Sequence, residues 1–234
     1  LFNGCSYTKG AELEGPERDY EGRDKKVYPY KISQKTGLTY QNIATNGASF
    51  DAIVRLTIEW FEAGNTCDLA IIQLTNPHRY EWISEKHKVV DVLMSRKNIM
   101  SEFDLSWVPV WEGFQMIDND PYRKYRFYKN LFFLEQYLES KNINYSFLSL
   151  NNLKEETGLV RKVPWHRLVK TNLSTIPYIQ GGILESLKTG RGHGDYTPNL
   201  GTTFHAGTHP SELGHEKIAE YLINNCEHLK NLCF

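Results

Sequence analysis

A serine hydroxyl is a poor nucleophile until a base takes its proton. The chain carries a serine and a histidine whose settings suit that pairing, one near each end. Ser6 follows Phe2-Asn3-Gly4-Cys5, the end of a buried strand breaking into a glycine-containing turn that exposes a hydroxyl. His209 lies in His205-Ala206-Gly207-Thr208-His209-Pro210-Ser211, a loop just ahead of a helix, from which an imidazole reaches a pocket. Serine and histidine so placed suit a nucleophile and its base. The competing readings are structural: a serine closing a turn, and a loop histidine beside the helix cap that Ser211 supplies. His215 is the rival base, but it falls inside the helix, where a structural role is expected. Cys5 is the rival nucleophile in a Cys–His reading. His205, His209 and His215 raise a metal site, since histidines four apart bind metal well on one helix face. The glycine and proline between them argue against a continuous helix, and neither metal nor cofactor is expected.

The elements that must position these residues can be read from periodicity. Asp68 to Leu74 is a short apolar run that reads as a buried strand. Asn144 to Leu150 is a second strand and Leu38 to Ala44 a third, shorter one. Pro29 opens a helix that runs to Gly37. Asp51 to Ala63 reads as a helix with Ile53, Leu56 and Trp60 on one face and Gly64 as its stop. Tyr122 to Lys141 repeats Phe127, Leu131, Leu134 and Leu138 at helical spacing, and Ser211 to Asn231 is a final helix with Leu213, Ile218, Leu222 and Cys226. Periodicity is lost over 76–120 and 151–205, which are expected as irregular insertions in one domain covering 1–234. Strands alternate with helices and no hairpin signal is visible. That predicts an α/β fold around a mostly parallel sheet, in which ligands bind beyond the carboxyl ends of the strands. The turns Gly4-Cys5-Ser6, Asn46-Gly47 and Thr75-Asn76 end three candidate strands and are expected to lie together.

Composition narrows the function classes. The chain has 234 residues, 40% apolar and 24% charged, long enough for a core without staples. Lys and Arg number 27 against 28 Asp and Glu, so no basic field draws nucleic acid or an anionic membrane. Apolar runs such as Leu69-Ala70-Ile71-Ile72 fall far short of the roughly 18 residues of a membrane span. Cys5, Cys67, Cys226 and Cys233 match neither a zinc pattern nor a disulfide framework, and read as reduced thiols in a cytoplasmic setting. The chain opens on Leu1 rather than Met, which leaves a longer or processed amino terminus open.

These residues resemble the SGNH, or GDSL-like, hydrolase family. Phe2-Asn3-Gly4-Cys5-Ser6-Tyr7-Thr8 is similar to its first block, where a strand ends in Gly-Asp-Ser and the serine is the nucleophile. Tyr28-Pro29, Gly37-Leu38 and Asn42-Ile43-Ala44-Thr45-Asn46-Gly47-Ala48-Ser49 resemble the second block, whose glycine supplies a backbone N–H. Ile71-Ile72-Gln73-Leu74-Thr75-Asn76 resembles the third, whose asparagine helps hold the oxyanion. His209-Pro210-Ser211-Glu212-Leu213-Gly214-His215 resembles the fifth, whose first histidine is the base. The blocks stand in family order across nearly the whole chain. The resemblance implies a three-layer α/β/α, flavodoxin-like sandwich and ester hydrolysis. It makes Ser6 the nucleophile, His209 the base, and the Ser6 N–H, Gly47 N–H and Asn76 amide the oxyanion donors. Loss of one such donor typically costs about 100- to 1000-fold in rate. For Asn76 the competing reading is a turn residue before Pro77. His78 and Arg79, just past the third block, are candidate substrate contacts. A small-molecule or carbohydrate ester is the expected substrate, with O-acetyl sugars preferred because aromatics abound and no long greasy lid is evident. The Asn-Gly-Cys-Ser form also resembles SGNH-like chains encoded by bacterial viruses.

The sequence departs from the family at three places. Cys5 replaces the aspartate of the first block, Leu74 stands where a glycine precedes Thr75-Asn76, and Ala206 stands three positions before His209, where an acid is expected. In serine proteases, loss of the acid that orients the histidine costs about 10⁴ in turnover. Three explanations compete: a backbone carbonyl orients His209 in a Ser–His dyad, Asp195 or Glu212 substitutes, or the protein is a weak or inactive member, by nature or by engineering. An acyltransferase using the same covalent intermediate is a further alternative.

Overall fold

A computed structural model describes residues 1–11, 13, 20–75, 77, 79–83, 89–93, 109, 112–114, 120–149, 168–170 and 209–233. The elements are β1 (Phe2–Asn3), α1 (Ser6–Lys9), α2 (Tyr20–Asp24), α3 (Tyr28–Thr36), α4 (Phe50–Glu62), β2 (Leu69–Leu74), β3 (Arg79–Ile83), β4 (Val89–Leu93), α5 (Asp120–Ser140), β5 (Asn144–Ser149), β6 (Leu168–Lys170), α6 (Glu212–Asn225) and α7 (Glu227–Cys233).

The apolar run Leu69–Leu74 becomes a strand buried on both faces, as a central parallel strand must be. Its side chains alternate between two cores. Ala70, Ile72 and Leu74 join Phe50 and Ile53 of α4 and Phe127, Leu131, Leu134 and Leu138 of α5. Leu69 and Ile71 join Tyr28 and Ile32 of α3, Ile218 and Leu222 of α6 and Leu229 of α7. Helices therefore cover both faces of the sheet, and the fold is a three-layer α/β/α sandwich of the flavodoxin-like kind.

All pairings in this sheet are parallel, in the order β1-β2-β5-β6. The segment around Asn42 adds one parallel bridge to Phe2 on the outer side of β1. Counting that segment, the order is the 2-1-3-4-5 of doubly wound sheets. The chain turns to one side of β1 and then to the other, so a crevice opens at the carboxyl ends of β1 and β2.

Several elements differ from the sequence reading. Leu38–Ala44 is a bridge rather than a strand: Phe2 N–H donates to Gln41 O (2.7 Å) and Ile43 N–H to Phe2 O (2.9 Å). Its partner β1 is only two residues long, so no longer ladder can form. On α4, Ser49 caps the start by accepting the Ala52 N–H at 3.1 Å. Its buried face runs through Phe50, Ile53, Thr57 and Phe61, while Leu56 and Trp60 are half-buried. The final helix is two. Cys226 is extended between α6 and α7, and Asn225 Nδ2 donates to the Tyr221 carbonyl at 2.8 Å, a side-chain bond to the last turn that competes with continuing the helix. Leu213 is exposed rather than packed. β3 and β4 form an antiparallel pair, Arg79↔Leu93 to Ile83↔Val89, for which no hairpin signal was visible. The five residues joining them, Ser84 to Lys88, include no Gly, Pro or Asn, so the usual turn chemistry is missing. The short strand β6 also lies where only an irregular insertion was expected. Among the described residues no helix is long and apolar enough to cross a membrane.

Candidate active site

Asn3 ends β1 with its side chain fully buried. Its Nδ2 donates to Ile53 O (2.9 Å) and Thr57 Oγ1 (2.8 Å) on α4, and its Oδ1 accepts the Gly4 N–H (2.8 Å). The strand end is thus tied to the helix layer before the chain turns. At Gly4 a Cβ would stand 2.4 Å from Thr8 Oγ1 and 2.7 Å from Gln73 Oε1, so only glycine fits. Cys5 then extends into α1, which Ser6 begins.

Ser6 is 6% exposed. Its Oγ is 2.8 Å from His209 Nε2, across 203 positions of sequence. His209 sits two residues ahead of Ser211, whose Oγ accepts the Gly214 N–H at 3.2 Å and caps α6. α6 is in turn fastened to α3 by a ladder of charges: Lys31 to Glu212 (3.2 Å) and Glu216 (3.3 Å), and Lys35 to Glu216 (2.7 Å). The Tyr7 ring meets the imidazole edge-on, centroids 5.3 Å apart, and His209 Nδ1 is shut off from solvent.

The rivals are placed elsewhere. His215 is fully buried and stacked on Tyr28, and its Nδ1 accepts the Tyr28 backbone N–H at 3.2 Å. Burial, with smaller contributions from the charges of Lys31 and His209, pulls its pKa down to about 3. It is a neutral core histidine. The Cys5 thiol is 2% exposed and lies 3.3 Å from Gln73 Oε1. Glu212 bonds Lys31 and makes no hydrogen bond to His209. Among the described residues no three His, Cys, Asp or Glu side chains converge on a metal position.

The other predicted residues divide into those the structure places and those outside the described residues. Gly47 has φ +77°, and a Cβ there would meet nothing within 4 Å. It faces open space in a left-handed turn, and the Thr45 N–H to Gly4 O bond (3.2 Å) draws that segment against the Ser6 turn. The first two polar turns therefore meet as expected. Thr75 follows β2, the neighbour of β1, and is buried. Asn76, His78, Asp195, His205 and Ala206 lie outside the described residues. Leu74, at the glycine position of the third block, is a core residue. Arg79 opens β3. Its carbonyl accepts from Arg126 Nη2 at 2.6 Å, Arg126 Nη1 pairs with Asp51 at 2.8 Å, and Arg126 lies over the Tyr80 ring. Arg79 Nη1 is buried and makes no hydrogen bond. A cavity lined by Leu1, Ile32, Tyr40, Trp60 and Leu69 opens at the other edge of the sheet, and neither Ser6 nor His209 borders it.

Sequence reasoning missed Gln73, Thr8 and Tyr7. Gln73 was visible as an anomaly: an amide inside Leu69–Leu74, an otherwise apolar strand, has to find partners when buried.

No protein-family model and no curated protein matches this chain in sequence. Solved structures that resemble its fold include the following two. One is a carbohydrate esterase family 2 enzyme with a carbohydrate binding domain from Corynascus thermopiles (Myceliophthora fergusii), at 12% identity and a TM-score of 0.50, covering 98% of this chain and 65% of that one. The other is a G-D-S-L-family protein from Desulfitobacterium hafniense DCB-2, described as lipolytic, at 12% identity and a TM-score of 0.43, covering 95% and 96%. The fold is the SGNH type of α/β/α sandwich.

Proposed function

We propose that the protein is a serine esterase in which Ser6 attacks an ester carbonyl and His209 is the base. The observation that carries this reading is the 2.8 Å contact between Ser6 Oγ and His209 Nε2 at the carboxyl edge of the sheet. In the neutral tautomer with Nε2 unprotonated, the Ser6 hydroxyl donates to it and loses its proton as the Oγ–carbon bond forms. The negative charge on the carbonyl oxygen is held by the Ser6 and Gly47 N–H groups and the Asn76 amide. His209 then protonates the departing alcohol, and the acyl group stays on Ser6. Water, deprotonated by His209, attacks the acyl-enzyme and releases the acid. Arg79 enters as a substrate contact, with His78 beside it, supported by the buried and unpartnered Arg79 Nη1.

The substrate class we favour is an O-acetylated carbohydrate. The likeness to a carbohydrate esterase points the same way. Ala206 favours one second reading, a weak or inactive SGNH-fold binding module, because the acid expected beside His209 is absent from that position. Transfer of the acyl group to a sugar hydroxyl is the variant in which water is excluded.

Fluorophosphonate labelling tests the reading, with p-nitrophenyl acetate hydrolysis run in parallel. Labelling of the wild type that vanishes in Ser6→Ala, and falls at least about 100-fold in rate in His209→Ala, is the expected result. A folded wild type that takes no label removes the esterase reading. Label gained on Ala206→Asp then marks a crippled enzyme, and none marks a binding module.

A further inference from the structure

Gln73 is the one side chain of β2 that is neither apolar nor idle: it is 1% exposed, in the middle of a parallel sheet, and every polar atom it has is engaged. Oε1 lies 3.1 Å from Cys5 N, 2.9 Å from Thr8 Oγ1 and 3.3 Å from Cys5 Sγ. Nε2 lies 3.1 Å from Leu74 O and 3.3 Å from Cys5 Sγ. The amide orientation follows from its partners. A backbone N–H only donates and a carbonyl only accepts, so Oε1 must face Cys5 and Nε2 must face Leu74. Thr8 therefore donates its hydroxyl proton to Oε1, and the Tyr28 hydroxyl, 2.8 Å away, donates to Thr8. The order runs from Tyr28 through Thr8 to Gln73, with Cys5 N–H arriving from the other side.

We infer that Gln73 is the positioning residue of the nucleophile turn, holding Cys5 and Thr8 on one carbonyl oxygen so that the Ser6 hydroxyl and N–H between them keep their aim. This inference rests on the esterase reading of Ser6. The turn is short and begins at a glycine, and its backbone closes on itself, with Gly10 N–H and Ala11 N–H on Ser6 O at 2.9 and 3.0 Å. Thr8 N–H and Lys9 N–H both fall on Cys5 O at 3.0 Å, and Thr45 N–H on Gly4 O at 3.2 Å; none of these bonds reaches β2, so the tilt of the turn against that strand is left to side chains. Gln73 sets that tilt from a strand paired on both sides, Ile72 with Asn3 of β1 and Gln73 with Leu148 of β5. The missing Cβ of Gly4 is the space Gln73 fills, since Gln73 Oε1 and Cβ would stand 2.7 and 2.8 Å from it. A site held by a buried, fully bonded group on a central strand is more exact than one left to its loop.

Two variants test this. Gln73→Met keeps the volume and loses the hydrogen bonds. Gln73→Glu keeps the acceptor, and only its protonated form also donates to Leu74 O. Turnover is measured per fluorophosphonate-titrated site, with KM, melting temperature and amide exchange at Cys5. A misplacement of about 1 Å costs about 100-fold, so Gln73→Met is expected to lose about that factor in kcat with KM within about 3-fold. Its Cys5 amide should exchange faster. The activity of Gln73→Glu relative to wild type should rise as pH falls from 8 to 5.5, while that of Gln73→Met stays flat. A purely structural glutamine would lower the melting temperature and leave turnover per site and the pH ratio alone, which overturns the inference. Should the wild type take no label, the esterase reading fails on its own, and the exchange arm still decides: a Cys5 amide protected in wild type and open in Gln73→Met upholds the positioning role, and equal protection overturns it.

Discussion

Gly4→Ala is the smallest change that strikes the nucleophile turn, and its cost follows from three distances. The new methyl would lie 2.4 Å from Thr8 Oγ1, 2.7 Å from Gln73 Oε1 and 2.8 Å from Gln73 Cβ. Real Cβ atoms do not come so close, and two of the three obstacles are short or anchored: a threonine hydroxyl and the Cβ of a central-strand residue. Both partners must move. Their displacement breaks the Cys5 N–H and Thr8 bonds to Gln73 Oε1, each worth about 1 kcal/mol net. Forcing a methyl into a packed site adds about 1–3 kcal/mol. The expected loss is about 3–5 kcal/mol, or roughly 6–20 °C in melting temperature for a chain of this size. Urea unfolding at pH 7 measures the first figure and a thermal scan the second. Labelling of Ser6 in the folded fraction should also slow, because the same bonds aim its hydroxyl. A Gly4→Ala protein within about 0.5 kcal/mol of wild type, labelled at the wild-type rate, would refute the reasoning about this turn.

Gly47→Ala separates strain from clash. A Cβ there meets no atom within 4 Å, but φ is +77°, so unfolding measurements should show a loss of only about 1–2 kcal/mol; esterase assays should show a larger fall in kcat/KM, as the methyl enters the space proposed for the substrate carbonyl. His215 makes stability depend on pH. Its folded pKa, about 3, is below its unfolded value, so the unfolded chain binds the extra proton and stability falls as pH drops below about 6.5. Between pH 7 and 4.5 this single group should remove roughly 3 kcal/mol, measured as the difference in urea stability between wild type and His215→Gln, whose own curve should be flatter over that interval. The Ser6→Ala and His209→Ala proteins should keep wild-type stability within about 1 kcal/mol, since the Ser6–His209 contact is one hydrogen bond, and lose labelling and hydrolysis.

The local sequence determined those parts of this protein whose signals are local. Leu69–Leu74 could be read as a central strand because only a strand covered on both faces is apolar at consecutive positions. The four apolar positions from Phe127 to Leu138 lie on one side of α5, and all are buried. Pro29 with Gly37, and Ser49 with Gly64, bracket their helices because φ restrictions and cap bonds act within a few residues. The pairing of Ser6 with His209 was legible as two suitable settings and through the order of the family-like blocks, but not as a contact. Their 2.8 Å contact exists because β1 and the loop ahead of α6 reach the same sheet edge, and no periodicity reports a meeting across 203 residues. The same holds where the reading failed. β1 is too short to pair with all of 38–44, β3 and β4 are joined without turn residues, and α6 stops at a cysteine whose thiol lies 3.2 Å from Ser146 Oγ. The helix position of His215 already set it apart from His209 in the sequence; tertiary structure supplied the placement, burying His215 against Tyr28 and leaving His209 beside the serine. It alone gave Gln73 its partners, because a buried amide must be satisfied, while the groups that satisfy it are supplied by whichever strand and turn the fold sets alongside.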